Sequence, residues 1–176
     1  MFNKENQVKN FLIEWYSVNA RILPWRKKNK DKYLNPYFVF VSEYMLQQTT
    51  VNTVKNKFNE FVLKWPSVNK LAKTNEPQIL KFWSGLGYYS RARNLLKSAK
   101  IINKNFKNRI PQSYDELVTL PGIGDYTAKA ILGIGFNKQV MPVDANIERI
   151  LVRLHAINKP IKKIKNELRD LGNKFK

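Results

Sequence analysis

Three places in this sequence put charge-binding or titratable groups where the backbone can help them. Leu120-Pro121-Gly122-Ile123-Gly124 lies between two helical patterns, one opened by Ser113 and one running from Tyr126 to Phe136. Two glycines around a small apolar residue allow a tight turn whose backbone N–H groups point outward at the positive end of the next helix. Such a turn binds an anion, and a phosphate can sit there with no contact to a base. From Gly-x-Gly alone, a plain helix-to-helix turn with a capping glycine reads equally well. Glu43 follows a run of apolar residues, so a desolvated site would raise its carboxyl above the usual value of about 4.3 and let it carry a proton near neutrality. Asp144 opens a helix, where the dipole favours an anion, and Asn146 can add a hydrogen bond. Spacing alone also fits two ordinary duties, an exposed Glu on an amphipathic helix and an Asp N-cap for residues 145 to 156.

The elements that must position these groups are helices. Apolar residues recur at helical spacing in Phe11, Ile13, Trp15 and Tyr16, in Ala92, Leu95, Ala99, Ile102 and Phe106, and in Ile147, Ile150, Leu151 and Leu154. The fold class is all-α. Asn75 before Glu76-Pro77 reads as a cap with proline in the first turn, and Ser113-Tyr114-Asp115-Glu116 has the form of a capping box, so helices start near 76 and 114. Phe38-Val39-Phe40-Val41, aromatic and β-branched after Pro36, is the one stretch whose local propensity favours a strand. The charged stretch from Pro24 to Pro36 reads as a solvated loop, and Ile161 to Phe175 as an amphipathic segment with Ile164, Leu168 and Leu171 on one face. A helix that stops at Lys176 without a further packing partner suggests a truncated or shortened protein.

Composition narrows the partner. With 176 residues, 43% apolar and 12% aromatic, the chain can build one substantial core, and a single domain over 1–176 is expected. Lys and Arg number 32 against 13 Asp and Glu, a net charge of +19 that works against compactness unless a polyanion is the partner. Nucleic acid is the first candidate, although twenty-four of the 32 are lysines in a chain also rich in Asn and Ile, a pattern that a coding bias also produces. Cysteine is absent, excluding disulfides, thiolate-bound metal and an iron–sulfur cluster built by this chain, and no metal site is expected. No stretch reaches the roughly 20 apolar residues of a membrane helix, and the polar N-terminus lacks a secretory core, so a soluble, cytoplasmic protein is expected.

The longer string Leu-Pro-Gly-Ile-Gly-Asp-Tyr-Thr-Ala resembles the helix-hairpin-helix of the base-excision glycosylase superfamily, and Val143-Asp144-Ala145-Asn146 stands where that superfamily carries its catalytic aspartate. Leu23-Pro24-Trp25-Arg26, Ser42-Glu43-Tyr44-Met45-Leu46-Gln47-Gln48-Thr49 and Gly85 to Leu95 extend the likeness over nearly the whole chain from about residue 7. Together they resemble the A/G-specific adenine glycosylases, the MutY family. The resemblance implies a helix-hairpin-helix glycosylase fold, with a six-helix barrel-like core and an incomplete second helical subdomain. It also places Phe38 to Gln48 in a helix, against the strand propensity.

What it implies for function is hydrolysis of the N-glycosidic bond of adenine mispaired with 8-oxoguanine or guanine, on double-stranded DNA and by a monomer. That reaction needs a neutral leaving base and support for an oxocarbenium-like sugar. Glu43 would protonate adenine at N7, and Asp144, helped by Asn146, would stabilise the sugar cation or bond with it transiently. Tyr126 stands where strand-cleaving relatives carry a Schiff-base lysine, so base removal without lyase activity is implied. Gln47, Gln48, Leu86 and Tyr88 match positions that enter the base stack, with Thr49 a DNA contact beside them, although helix-surface glutamines and a buried Leu-Tyr pair also fit these residues. Gly122, Ile123 and Gly124 would hold phosphate, with Lys129 a phosphate contact or solvated residue and Arg26 a member of the adenine pocket. Arg91 and Arg93 read as phosphate or solvent contacts, and His155, the only histidine, as a helix-surface residue with no role.

The sequence departs from the family at Ala145, where glycine is usual, and in lacking the helices with four cysteines that hold a [4Fe-4S] cluster and the domain that reads 8-oxoguanine. A mismatch thymine glycosylase of the same superfamily shares Glu43, Tyr126 and Asp144 equivalents, although Gln47-Gln48 favours adenine. A non-catalytic helix-hairpin-helix module that only binds DNA is the alternative from another class.

Overall fold

A computed structural model describes residues 4–27 and 34–175. All regular elements among them are helical: α1 Lys4–Asn19, α2 Pro36–Leu46, α3 Val51–Lys64, α4 Val68–Ala72, α5 Glu76–Trp83, α6 Ser90–Asn105, α7 Tyr114–Val118, α8 Asp125–Ala130, α9 Ala145–Leu154 and α10 Lys165–Asn173. Short 3-10 turns occupy Pro24–Arg26 and Ile161–Lys163, and a π-helical turn, Ile131–Gly135, continues α8. The chain divides into two compact units, Leu23–Lys138 and a second made of Met1–Ile22 with Gln139–Lys176.

In the larger unit α2 is the central element, packed on α3, α6, the first 3-10 turn and the π turn. Asn35 caps it, its side chain accepting from the Tyr37 N–H at 3.0 Å, and Pro36 sits in the first turn where its missing N–H costs nothing. Val39, Phe40, Val41, Tyr44 and Met45 are all fully buried. That explains why local propensity misleads here: neighbours on every side turn a β-like run into an all-apolar helix. At about 1.5–3 kcal/mol per buried side chain, this packing exceeds a propensity deficit of a few tenths of a kcal/mol per residue. Gly135 lies against Pro36, where a Cβ would stand in ordinary contact with the proline Cα at 3.4 Å.

The caps read from sequence are formed: Asn75 accepts from the Gln78 N–H at 3.0 Å, and Ser113 from the Glu116 N–H at 3.4 Å. Ala92, Leu95, Ala99 and Ile102 of α6 are buried, as their spacing requires. The solvated-loop reading of 24–36 fails at its start. Leu23 and Trp25 are buried, with the Trp25 ring edge-on to Phe58 at 5.3 Å, because a tryptophan in a 3-10 turn can reach the core although its neighbours are polar. Residues 28–33 of that stretch lie outside the described residues.

In the smaller unit Leu151 of α9 packs with Ile164 and Leu168, and Val143, Ile147, Ile161, Leu171 and Phe175 surround them, so the amphipathic reading of 161–175 holds. Two stripes behave differently. Ile150 is exposed, and so are Phe11, Ile13, Trp15 and Tyr16 of α1, the apolar face that its spacing marked for burial. His155 closes α9 as its C-cap and is half-buried, with Nε2 enclosed, and so is no free surface residue.

Candidate functional site

Glu43 lies in the last turns of α2 with 8% of its surface exposed, so the surface-Glu reading falls. Burial pushes its carboxyl up to about 7, opposed in part by the positive charge of Arg26. Among the described residues no hydrogen bond reaches its carboxyl group. A carboxyl in this environment holds its proton near neutral pH and can donate it. Arg26, at the end of the first 3-10 turn, is the positive charge that acts on Glu43.

The residue after Glu43 ties the same helix to the hairpin. The Tyr44 hydroxyl is buried, lies 2.9 Å from Ser98 Oγ and donates to the Pro121 carbonyl, which Ser98 also contacts at 3.1 Å. Gln47 Nε2 donates to the Gly122 carbonyl at 3.2 Å. Gly122 has φ +82, and a Cβ there would meet Asn94 at 3.0 Å and Tyr44 at 3.1 Å, so only glycine fits both the backbone and the space. Gly124, exposed like Gly122, differs in its space: a side chain there would meet nothing within 4 Å. Leu120 and Ile123 anchor the turn from inside, both buried. The hairpin thus presents Gly124 and the start of α8 on an open surface, with its rear fastened to α2 and α6.

Tyr126 lies in the first turn of α8 with 40% of its surface exposed. Lys129, one turn on, is bound to Asp125 at 2.9 Å, and the Tyr114 hydroxyl donates to the same carboxylate at 2.9 Å. The ammonium is held across the end of α7, so its charge is partly spent inside the protein.

Two loops follow α2 and α5. In the first, Gln48 is exposed with φ +54 and Thr49 Oγ1 donates to the Leu86 carbonyl at 3.3 Å. In the second, Tyr88 is 61% exposed with φ +46, between Gly87 at φ +69 and α6. A left-handed backbone at two non-glycine tips stores roughly 1 kcal/mol or more at each. Of the two residues matched to intercalating positions in this turn, Leu86 is buried at 4% exposure, its N–H donating to the Trp83 carbonyl, and Tyr88 reaches solvent. Arg91, expected at phosphate or solvent, is buried too, its guanidinium taken up by backbone carbonyls of both loops. Arg93 pairs with Glu76 at 2.7 Å on the surface.

In the smaller unit Asp144 caps α9, Oδ1 accepting from the Asn146 N–H at 3.0 Å and the Ile147 N–H at 2.8 Å. Asn146 Nδ2 donates to Oδ2 at 3.2 Å, and its own Oδ1 accepts from Arg149. The carboxylate is thus oriented by three donors, and Arg149, one turn into α9, extends the set. Nothing in the spacing singled out Arg149, since an Arg on a helix face is most often solvated. The Asp cap reading of Asp144 is thus met by the geometry.

No group of three or more metal-ligating side chains occurs among the described residues. An iron–sulfur cluster needs thiolates, and a chain without cysteine has no donors that fit one.

Residues 41–174 match the family described as HhH-GPD superfamily base excision DNA repair protein, and the chain belongs to that superfamily. Among curated relatives, the adenine DNA glycosylase of Buchnera aphidicola subsp. Baizongia pistaciae is 44% identical over 148 residues, covering 84% of this chain and 41% of its own length. The adenine DNA glycosylase of Homo sapiens is 40% identical over 150 residues, covering 83% of this chain and 28% of its own. The chain thus spans about two fifths or less of the length of these relatives. Among solved structures, a thermostable thymine-DNA glycosylase superposes with a TM-score of 0.80 at 25% identity, over 98% of this chain and 81% of the other. The all-helical architecture is therefore the helix-hairpin-helix glycosylase fold.

Proposed function

We propose that this chain carries the catalytic part of an adenine-specific DNA glycosylase, releasing adenine mispaired with 8-oxoguanine or guanine from double-stranded DNA. The observation that carries the reading is Glu43: a buried carboxyl raised to about 7, on the helix that also fastens the hairpin, is a proton donor suited to making a departing base neutral. Asp144 is the carboxylate that supports the sugar cation, held by Asn146 and the start of α9. Tyr126 offers no amine, so the sugar is left without strand cleavage. The Gly122–Gly124 turn binds phosphate, and Gln48 and Tyr88 are the exposed tips that enter the stack when the base leaves it.

The likeness to the thymine-DNA glycosylase favours a second reading, in which the released base is thymine opposite guanine. Single-turnover assays on three duplexes, with A opposite 8-oxoguanine, A opposite G and T opposite G, separate the readings. Release of adenine from the first two supports the proposal, release of thymine alone supports the second reading, and tight binding with no release from any would leave a DNA-binding module.

A further inference from the structure

Arg91 is a buried cation with no carboxylate partner among the described residues, and its neighbours explain why it is there. Nη1 donates to the carbonyls of Tyr44 at 3.2 Å, Met45 at 2.8 Å and Gln47. Nη2 donates to Thr49 Oγ1 at 2.9 Å and to the carbonyls of Leu86 at 2.8 Å and Gly87 at 3.0 Å. One nitrogen thus collects the C-terminal end of α2, and the other joins the loop after it to the turn after α5. The guanidinium lies 5.6 Å from the ring centroids of Trp83 and Tyr88, and Trp83 Nε1 donates to the same Gly87 carbonyl at 3.1 Å. Carbonyl oxygens at a helix C-terminus are the negative pole of its dipole, so a buried positive charge is stabilised there without an acid. Both loops have a left-handed non-glycine residue at the tip, Gln48 and Tyr88, and such backbones persist only where surrounding contacts over-determine them.

We propose that Arg91 is a positioning residue that couples the Gln47–Thr49 loop to the Leu86–Tyr88 turn, so that Gln48 and Tyr88 are presented together as a rigid pair for opening a base pair. The coupling is read from the geometry alone; its use in opening DNA rests on the function proposed above. The planar fork is essential, because Nη1 takes the carbonyls that end α2 while Nη2, at a fixed angle to it, takes Thr49 and the turn after α5. A lysine ammonium supplies charge on a single point and cannot span both.

The test compares the native chain with Arg91→Lys and Thr49→Val. Amide hydrogen exchange in the free protein reads the two loops directly, and a duplex with 2-aminopurine opposite guanine reads unstacking by its fluorescence. Affinity for a fully matched duplex reports the phosphate contacts. In Arg91→Lys, exchange is expected to accelerate about tenfold or more in both loops together, while α3 keeps its protection. The unstacking signal at saturation should fall several-fold with matched-duplex affinity held within about twofold. Should Arg91→Lys fail to fold, Thr49→Val, which removes one acceptor, should give a smaller acceleration in the same two loops. Acceleration in one loop only, in neither, or an equal loss of matched and unstacking binding overturns the proposal. A native chain that leaves 2-aminopurine stacked overturns the proposed function and, with it, the role in opening. A native chain that unstacks it no better than Arg91→Lys does overturns the positioning role alone.

Discussion

At the scale of single residues, the informative group is a carboxyl that should titrate where enzymes work. Glu43 ordinarily ionises near 4.5 and is raised to about 7 by burial, so the folded protein binds a proton more tightly than the unfolded chain. Stability is then free of this penalty below about pH 4.5 and falls as pH rises toward 7, reaching a loss of order 3 kcal/mol above it. Glu43→Gln removes the cost of burying an anion, so thermal melts should show it gaining stability over the native chain at pH 8 and gaining little at pH 4.5. The same substitution should lower the single-turnover rate by about 10² to 10⁴ while leaving DNA binding nearly unchanged, because the proton matters only in the transition state. In the native chain the rate should decline above about pH 7 as the donor is lost. Asp144→Asn is expected to abolish release and keep the α9 cap, whereas Asp144→Ala should also cost about 1 kcal/mol of stability. Tyr126→Lys places an amine on the exposed first turn of α8, and borohydride should then trap a covalent protein–DNA adduct that the native chain does not form.

At the scale of elements, the hairpin separates two uses of glycine. Gly122 needs a positive φ and has no room for a methyl group, so Gly122→Ala should destabilise the protein by roughly 1–3 kcal/mol in denaturant unfolding. Gly124 has an ordinary φ and open space around it. Gly124→Ala should therefore change stability by less than about 0.5 kcal/mol yet weaken binding to matched duplex, because the new methyl stands on the surface proposed to take phosphate. Equal effects of the two variants in either measurement would remove the hairpin from the DNA interface. The hairpin and Glu43 are joined through α2, whose Tyr44, the next residue, and Gln47 hold the turn.

At the scale of the whole molecule, the +19 charge sets how binding responds to salt. If four phosphates are neutralised, log K should fall with a slope of about −3.6, which is roughly a hundredfold loss between 50 and 200 mM salt. Anisotropy titrations on a matched duplex measure this directly; affinity flat across that range would mean the lysines are only solubilising charge. No helix among the described residues is long and apolar enough to cross a membrane.

Much of this was legible in the residues themselves. Helix caps at Asn75 and Ser113, the buried stripe of α6, the hairpin glycines and the two carboxyls are local features, set by backbone donors, side-chain reach and periodicity within one or two turns. Tertiary structure decided the rest. The Phe38–Val41 run became a helix because packing on every side outweighs propensity, and Trp25 went inside because a core ring was there to receive it. An apolar stripe specifies a face but not its cover, which is why α6 is buried and α1 is exposed. Arg91 shows the same limit in reverse. Its acceptors are carbonyls supplied by segments more than 40 residues earlier in the chain as well as by its own turn, and carbonyls carry no signature in the sequence.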